Sequence, residues 1–225
     1  MATIATPVFE KSSDSLSSVD QRIGIHSDSR LRQPLSTNPF NVNIENVVAS
    51  ANLHQNIDLE SVAKTFPAAR YKPDQFPGLI HHLRKPDVSV LVFRTGKLVI
   101  AGAKSEARAR RAVLRLVEEL KASGLVILGK PDITITNIVA SADLRHPVDL
   151  EDIARNLQGT IYEPDQFPGL IYRSKDLKEV ILIFASGKLV CTGATSEDNV
   201  PRAIKRLYDE LVDQRLIITD PRDQL

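Results

Sequence analysis

Few residues in this chain are suited to catalysis or to metal binding. The only adjacent histidines, His81 and His82, lie in a predicted strand, where neighbouring side chains point to opposite faces, so they cannot chelate one metal ion together. The single cysteine, Cys191, excludes an intramolecular disulfide and a cysteine-based zinc site. The sequence contains no phosphate-binding loop, dinucleotide fingerprint, nucleophile elbow or zinc-protease helix. We therefore predict that the chain is not an enzyme and has no cofactor.

The most informative residues are those that the chain repeats. Residues 74–80 read DQFPGLI, and residues 165–171 read the same seven letters 91 positions later. The same spacing relates further residues of the two halves, among them Asn46 and Asn137, Phe93 and Phe184, and Lys97 and Lys188. Residues 44–120 align with the second half without a gap. Two copies are too few for a solenoid, so we predict a pseudo-two-fold fold in which each copy completes the core of the other.

The elements that must position these residues begin with a strand over 41–53. Its alternation places Val42, Ile44, Asn46, Val48 and Ser50 on one face, and residues 47, 49 and 51 on the other. Both faces are largely apolar. An antiparallel strand with one face in water would not need this.

Each copy continues with the same order of elements. In the first copy, Asp58 caps a short helix over 59–65, and strands are predicted over 69–72, 79–83, 88–93 and 97–101. Ser105 caps a long helix with an apolar stripe that packs on the sheet: Ala109, Ala112, Val113, Leu116, Val117 and Leu120. The second copy has a strand over 133–144, a short helix over 150–156, a loop at Phe167 and Pro168, and strands through Phe184 and Thr192. Its last helix is predicted over 196–213, and Pro201 displaces or kinks the start of this helix. Helices can cover only one face of the joined sheet, and the apolar face left open indicates a binding site.

Charge divides between the copies although the whole chain is nearly neutral. Residues 41–130 hold 14 basic and 8 acidic side chains, whereas residues 131–225 hold 11 and 16. The first copy is therefore basic and the second acidic, which bears on where charged partners bind. The arginines of the first long helix suit either a partner-binding surface or, more commonly, a solvated face.

The N-terminal segment differs in composition from the repeats. Residues 1–39 are rich in Ser, Asp, Gln and Pro without an apolar period, and we predict a disordered tail, either passive or used in recognition. Repeats over 40–130 and 131–225 follow it. No apolar run is long enough to span a membrane and no signal-peptide core is present, which predicts an intracellular protein.

The repeated phrase, with LIFASGK over 182–188 and TGA over 192–194, resembles the TATA-box-binding protein family. The match extends over residues 41–211 and recurs in both copies, and it is most similar to archaeal members because Phe-Pro-Gly-Leu stands in both repeats. The resemblance implies an α+β saddle, with a curved ten-stranded antiparallel sheet and four helices on its convex face. It also implies a DNA-associated location, in the nucleoid of an archaeal cell or the nucleus of a eukaryotic one.

The resemblance assigns the repeated phenylalanines and asparagines to DNA. Phe76, Phe93, Phe167 and Phe184 match the family's intercalating residues, since a flat ring beside a rigid Pro-Gly loop can enter between base pairs. Each Phe alone would fit ordinary packing. The family's central pair matches Asn46 and Asn137, whose amides can donate to adenine N3 and thymine O2.

The remaining site residues are implied by position. The apolar floor of the minor-groove site matches Val48, Leu91, Val99, Val139, Leu182 and Val190, and Thr192 matches a further groove contact. Lys97, Lys188 and Arg173 match phosphate contacts, although alone they would suit solvated side chains. Glu163 and Asp165 match the family's contact with transcription factor B, or else form a solvated loop. The first repeat departs from the pattern at Ala101, where the family has Thr, and at His82, where it has Arg.

On this resemblance we expect a general transcription initiation factor. It would bind the TATA element of double-stranded promoter DNA in the minor groove, bend it by phenylalanine intercalation, and recruit transcription factor B and, through it, RNA polymerase. It would act on DNA as a monomer, and whether the free protein forms a homodimer through its apolar face stays open. The alternative is a non-catalytic protein-interaction module on the same saddle fold.

Overall fold

Nine strands and four helices make up residues 40–217, the part of the chain that the computed structural model describes. In chain order they are β1 (Asn43–Asn52), α1 (Leu59–Thr65), β2 (Gly78–Arg84), β3 (Asp87–Phe93), β4 (Lys97–Ala103), α2 (Glu106–Ala122), β5 (Asp132–Asp143), α3 (Leu150–Asn156), β6 (Thr160–Ile161), β7 (Leu170–Arg173), β8 (Val180–Ile183), β9 (Lys188–Ala194) and α4 (Asn199–Asp213). The tail predicted over residues 1–39 lies outside the described residues.

All strands join one curved, open antiparallel sheet. Their order is β2-β3-β4-β1-β5-β9-β8-β7-β6, so β1 and β5 pair at the centre and each repeat extends outward from them. The two halves of the sheet are thus related by a pseudo-two-fold axis between β1 and β5. This confirms the predicted fold class.

The helices pack on one face of the sheet because their apolar residues fall on one stripe. All six predicted stripe residues of α2, from Ala109 to Leu120, are buried. They lie against the strand side chains that alternate inward, such as Val47, Leu98 and Ile100. Asp58 and Asp149 cap the two short helices by accepting backbone N–H bonds, and each helix begins one residue later. α4 begins at Asn199, three residues after the predicted start, in line with the displacement expected of Pro201.

The sheet has nine strands rather than the ten predicted, and the difference lies in the first repeat. In the second repeat, Gly159 has φ of 80° and its carbonyl accepts from the Arg173 N–H at 2.9 Å, at the start of the β6–β7 pair. A Cβ at Gly159 would lie 2.3 Å from the Arg173 carbonyl oxygen. The matching residue is Ala68, which cannot approach so closely. The strand predicted over 69–72 is therefore reduced to one bridge between Arg70 and Ile80.

A β-bulge corrects the predicted faces of β1. The pairing of β1 with β5 shifts register between Ile44 and Asn46, so the alternation changes phase at this point. Val42 and Ile44 consequently pack against the core, whereas Asn46 and Val48 keep the opposite face. The sequence pattern showed an unbroken alternation and could not reveal the extra residue.

The two repeats also meet on the helix side, at the starts of their long helices. The Glu197 N–H donates to the Glu106 carboxylate at 2.7 Å, and the Glu106 N–H donates to the Glu197 carboxylate. Each side chain thereby satisfies a backbone donor at the helix start of the other repeat. The two acidic residues are bound reciprocally across the pseudo-two-fold axis.

Candidate nucleic-acid interface

The sheet face opposite the helices carries a row of apolar side chains. We call this surface the open face. It comprises Asn46, Val48, Leu91, Val99, Asn137, Val139, Leu182 and Val190, all half-buried. Leu91 pairs across the strands with Val99, and Leu182 with Val190, so each repeat contributes the same apolar pair. The structure thus brings the predicted floor residues together on one continuous surface.

The two asparagines lie at the centre of the open face. Asn46 is paired with Val139 across β1 and β5, and Asn137 with Val48. The Asn46 Oδ1 accepts the Gly102 N–H at 2.8 Å, and the Asn137 Oδ1 accepts the Gly193 N–H at 2.8 Å. Two amides are therefore held symmetrically, one from each repeat.

The four predicted phenylalanines form two matching pairs at the outer parts of the face. The rings of Phe76 and Phe93 meet edge to face with centroids 5.8 Å apart, and those of Phe167 and Phe184 at 6.0 Å. A Cβ at Gly78 would lie 2.7 Å from the Phe76 ring, and the same distance separates Gly169 from Phe167. Each ring pair therefore packs directly over a glycine backbone and stays only half-buried.

Three cationic side chains border this surface. Lys97 and Lys188 are the exposed first residues of β4 and β9, and Arg173 is the exposed last residue of β7. None of the three pairs with a carboxylate within residues 40–217. In the first repeat, the counterpart of Arg173 is His82, whose Nε2 lies 2.7 Å from Asp87. The border is thus more cationic at the second repeat than at the first.

The two phenylalanine loops share a backbone but differ in charge. In the second repeat the Glu163 carbonyl accepts the Gln166 and Phe167 N–H groups at 2.9 and 3.0 Å. In the first repeat the Lys72 carbonyl holds Gln75 and Phe76 in the same way. The side chains of Glu163 and Asp165 are exposed. The second loop therefore presents two carboxylates, whereas the first presents one cation, Lys72, and one carboxylate, Asp74.

Sequence reasoning assigned no role to two kinds of residue beside the open face. Ser50 and Ser141 pair with Val99 and Val190 across the strands, and the period-two alternation from Val48 and Val139 indicates both. Glu45 lies in the β1 bulge, so no periodic signal could have placed it. Its carboxylate accepts from the Ser141 hydroxyl at 2.8 Å and from Lys104 at 3.1 Å. These bonds, first that from Ser141 and then that from Lys104, lower the pKa of Glu45 below its ordinary value.

The fold of the described residues is that of a solved transcription protein. The structure entitled Methanococcus jannaschii TBP superposes with a TM-score of 0.71 at 47% sequence identity, covering 76% of this chain and 98% of that one. This similarity defines the class of protein: a transcription factor built from two repeats that share one open antiparallel sheet.

Sequence comparison names the family. The model described as transcription factor TFIID (or TATA-binding protein, TBP) matches residues 41–123 and again 132–214. The TATA-box-binding protein of Sulfurisphaera tokodaii is 50% identical over 172 residues, 76% of this chain and 87% of that protein. That of Pyrobaculum calidifontis is 52% identical over 168 residues, 75% and 84% of the two chains. The chain belongs to the TATA-binding protein family.

Membership confirms two predictions made from the sequence. The family is one of non-catalytic, DNA-binding transcription factors, so the prediction that the chain is not an enzyme is confirmed. The archaeal character of the resemblance is also confirmed by these relatives. Within residues 40–217, no helix has the length and apolarity that a membrane span requires.

Proposed function

We propose that this chain binds the TATA element of promoter DNA in the minor groove through the open face, bends it, and recruits transcription factor B and thereby RNA polymerase. The observation that carries the proposal is that each repeat places two half-exposed phenylalanine rings in contact, at symmetric positions of an apolar face. The relatives named above support the DNA target, because they are described as TATA-box-binding proteins.

The phenylalanine pairs are suited to insertion between base steps. Apolar side chains that enter the minor groove unstack a step and kink the duplex, and TATA-binding proteins are themselves a known case of this. The rings in each pair already lie in contact, at 5.8 and 6.0 Å between centroids, so little ordering is needed on binding. Two wedges separated by the width of the sheet would bend the DNA between them.

The floor between the wedges favours A·T pairs. The minor groove of A·T and T·A presents only acceptors, adenine N3 and thymine O2, whereas G·C adds the guanine amino donor. An apolar floor of Val and Leu leaves that amino group without an acceptor, and burying an unpaired polar group costs about 1–3 kcal/mol. The open face therefore suits A·T-rich sequence at most of its contacts.

The cations at the border supply phosphate contacts that do not read sequence. Lys97, Lys188 and Arg173 are exposed and unpaired within the described residues, so binding DNA would not require breaking an ion pair. Such contacts fix the register of the protein on the duplex. They complement the apolar floor, which alone would give little long-range attraction.

The acidic loop is suited to a protein partner rather than to DNA. Glu163 and Asp165 are exposed and would be repelled by phosphates, so a partner with cationic side chains suits them better. We assign transcription factor B to this loop. The matching loop of the first repeat carries Lys72, which would disfavour the same contact.

The alternative function is a protein-interaction module on the same fold. An apolar open face can bind another protein as readily as DNA. The half-exposed ring pairs and the central amides favour DNA, since an interaction surface has no need for symmetric wedges. A gel shift with an A·T-rich promoter duplex against a G·C-rich one separates the two, and equal or absent binding contradicts the DNA proposal.

Removing one wedge tests the proposed bend. We expect the double variant Phe167→Ala and Phe184→Ala to fold, to bind TATA DNA at least tenfold more weakly, and to bend it less, because base–aromatic contacts are worth about 1–3 kcal/mol each. The bend is measured by energy transfer between dyes at the ends of the duplex. Leu114→Ala is the control, because this exposed leucine lies on α2, away from the open face. An unchanged bend in the double variant would assign the rings to ordinary packing.

A further inference from the structure

The side-chain oxygens of the two central asparagines are already bound within the protein. Each accepts a backbone N–H at 2.8 Å, from Gly102 to Asn46 and from Gly193 to Asn137. A backbone N–H can only donate, so it fixes which end of the amide it faces. Within the described residues neither Nδ2 has a hydrogen-bond partner, and neither is a buried unsatisfied atom. The free end of each amide is therefore a donor.

Two left-handed glycines direct these N–H groups. Gly102 has φ of 99° and Gly193 of 87°, a region that favours glycine. Both lie where the sheet changes register, between Val47 and Ala49 on one side and between Ile138 and Ala140 on the other. A bulge of this kind turns one peptide group away from the strand ladder. At both sites the displaced N–H meets the asparagine oxygen.

We propose that Gly102 and Gly193 are positioning residues that set the base preference at the centre of the bound DNA. By binding the oxygens, they leave only amide donors facing the duplex, so the centre accepts adenine N3 and thymine O2 and excludes the guanine amino group. This inference rests on the proposed DNA binding. It adds that the preference depends on the orientation of the amides and on the glycine bulges that fix it.

The two amides are not held equally. The Thr192 hydroxyl lies 3.4 Å from the Asn137 oxygen, a second and weaker contact. The first repeat has Ala101 at this position, so Asn46 depends on Gly102 alone. A Cβ at Gly102 would approach nothing nearer than the Val88 Cα at 3.8 Å, so an alanine there would strain the backbone without a clash. Gly102→Ala is consequently the cleanest variant.

The test uses three duplexes that differ only in the central two base pairs: A·T, 2,6-diaminopurine·T, which adds the minor-groove amino group, and inosine·C, which lacks it. We expect the wild-type protein to bind A·T and inosine·C within about threefold of each other and diaminopurine·T about tenfold or more weakly. In Gly102→Ala the ratio of A·T to diaminopurine·T affinity should fall to about threefold or less. The reason is that a released amide can turn its oxygen toward the added amino group.

Two further variants make the result decisive. Asn46→Asp keeps an oxygen for the Gly102 N–H and places a second oxygen toward the groove, so diaminopurine·T should bind at least as tightly as A·T. Gly124→Ala is the matched control for backbone strain: Gly124 has φ of 92° at the end of α2, and nothing lies within 4 Å of its Cβ position. It should lower the unfolding temperature as Gly102→Ala does, while keeping the wild-type ratio.

The outcomes separate the inference from the function on which it rests. A wild-type ratio in Gly102→Ala, or in Asn46→Asp should the first variant fail to fold, overturns the positioning role and leaves the proposed function intact. Absence of wild-type binding to all three duplexes overturns the proposed function, and this inference with it. Loss of discrimination in Gly102→Ala but not in Gly124→Ala establishes the glycine as the residue that sets the amide.

Discussion

The two repeats share a backbone plan but differ in charge on the helix side. In the first repeat, a cleft between the β2–β3 turn and α2 is lined by Asp87, Glu118 and six cations: Arg84, Lys85, Lys104, Arg108, Arg111 and Arg115. The matching cleft of the second repeat has two cations and two carboxylates, Lys178, Arg202, Asp176 and Glu179. Lys85 corresponds to Asp176 and Arg108 to Asn199. The duplicated fold thus depends on the apolar positions that both repeats keep, which leaves the polar positions free to diverge.

A chain of polar contacts that runs from the buried Tyr172 to the surface shows the same divergence between the repeats. In the second repeat the Tyr172 hydroxyl donates to Glu210 at 2.7 Å, and Arg206 binds both Glu210 at 3.1 Å and Asp176 at 2.8 Å. In the first repeat, His81 lies 3.5 Å from Glu119, and Arg115 binds Glu119 at 2.9 Å. The counterpart of Asp176 is Lys85, which cannot accept, so the chain ends there. Four residues are linked in one repeat and three in the other.

The largest expected effect comes from reversing the charge at the acidic loop of the second repeat, because the matching loop of the first repeat carries a different charge. We expect Glu163→Arg to weaken the proposed ternary complex with transcription factor B by about a hundredfold or more, because a like charge against the cationic surface proposed for that partner costs several kcal/mol. Binary TATA affinity should persist within a few-fold. A gel shift with and without the partner measures both.

The reciprocal change tests whether this difference gives the protein direction. Lys72→Glu would give the first loop the charge of the second at this position, so transcription factor B should then bind at either end of the promoter complex. Footprinting of the partner on asymmetric DNA reads the orientation. Ternary assembly at wild-type affinity in Glu163→Arg would assign the partner to another surface.

The two border lysines, one in each repeat, should contribute equally to DNA binding. Because Lys97 and Lys188 begin matching strands and are both exposed, each alanine variant should weaken binding to all sequences and reduce the salt slope by about one unit. Affinity is measured across a salt series. Lys64→Ala on α1 is the control and should leave the slope unchanged. A changed base preference with an unaltered slope would show that these lysines contact bases instead.

The smallest expected effect concerns the polar chain. Tyr172→Phe should cost about 0.5–1.5 kcal/mol of unfolding free energy, the usual net value of one hydrogen bond. Burial, and then the bond to Glu210, raises the pKa of Tyr172 from 10 to about 12. The folded state therefore holds this proton more tightly than the unfolded state does, and the associated stability is present below pH 10 and lost between about pH 10 and 12. Denaturant unfolding at pH 9 and pH 11.5 should show the gap between wild type and Tyr172→Phe narrowing.

Tyr162→Phe provides the matched control for this measurement. The Tyr162 ring is half-buried, and its hydroxyl forms no hydrogen bond with any of the described residues. We expect little change in stability at either pH. An equal loss in both tyrosine variants would mean that the Glu210 contact contributes nothing specific.

Local signals were enough to predict most of the fold from the sequence. The Asp58 cap gave the bounds of α1, and the three-and-four spacing gave the buried stripe of α2. The prediction of a tenth strand was wrong because the first repeat has Ala68 where the second has Gly159. Only the glycine can approach the neighbouring carbonyl closely enough for the strand to form. The sheet face predicted for Val42 and Ile44 was wrong because a bulge leaves no trace in an alternating sequence pattern.

The candidate site divides in the same way. Resemblance supplied the phenylalanines, asparagines and floor residues, and the structure gathers them on one face, while their contacts with DNA stay predictions. The bonds from Gly102 and Gly193 were beyond sequence reasoning, since they arise from bulges that form only when distant strands pair. Residues that act through backbone geometry are the hardest to find from side-chain type.

The reciprocal bonds between Glu106 and Glu197 have the symmetry of a homodimer contact. Each repeat contains both halves of the contact, a carboxylate and a backbone donor at the start of its long helix. Two identical copies of a single repeat, related by a two-fold axis, would make the same bond twice. The contact thus has the geometry that two identical subunits would form across a two-fold axis, here within one chain. Because one chain encodes the two sides of this contact separately, the surfaces around it can differ, and here the first repeat is basic and the second acidic.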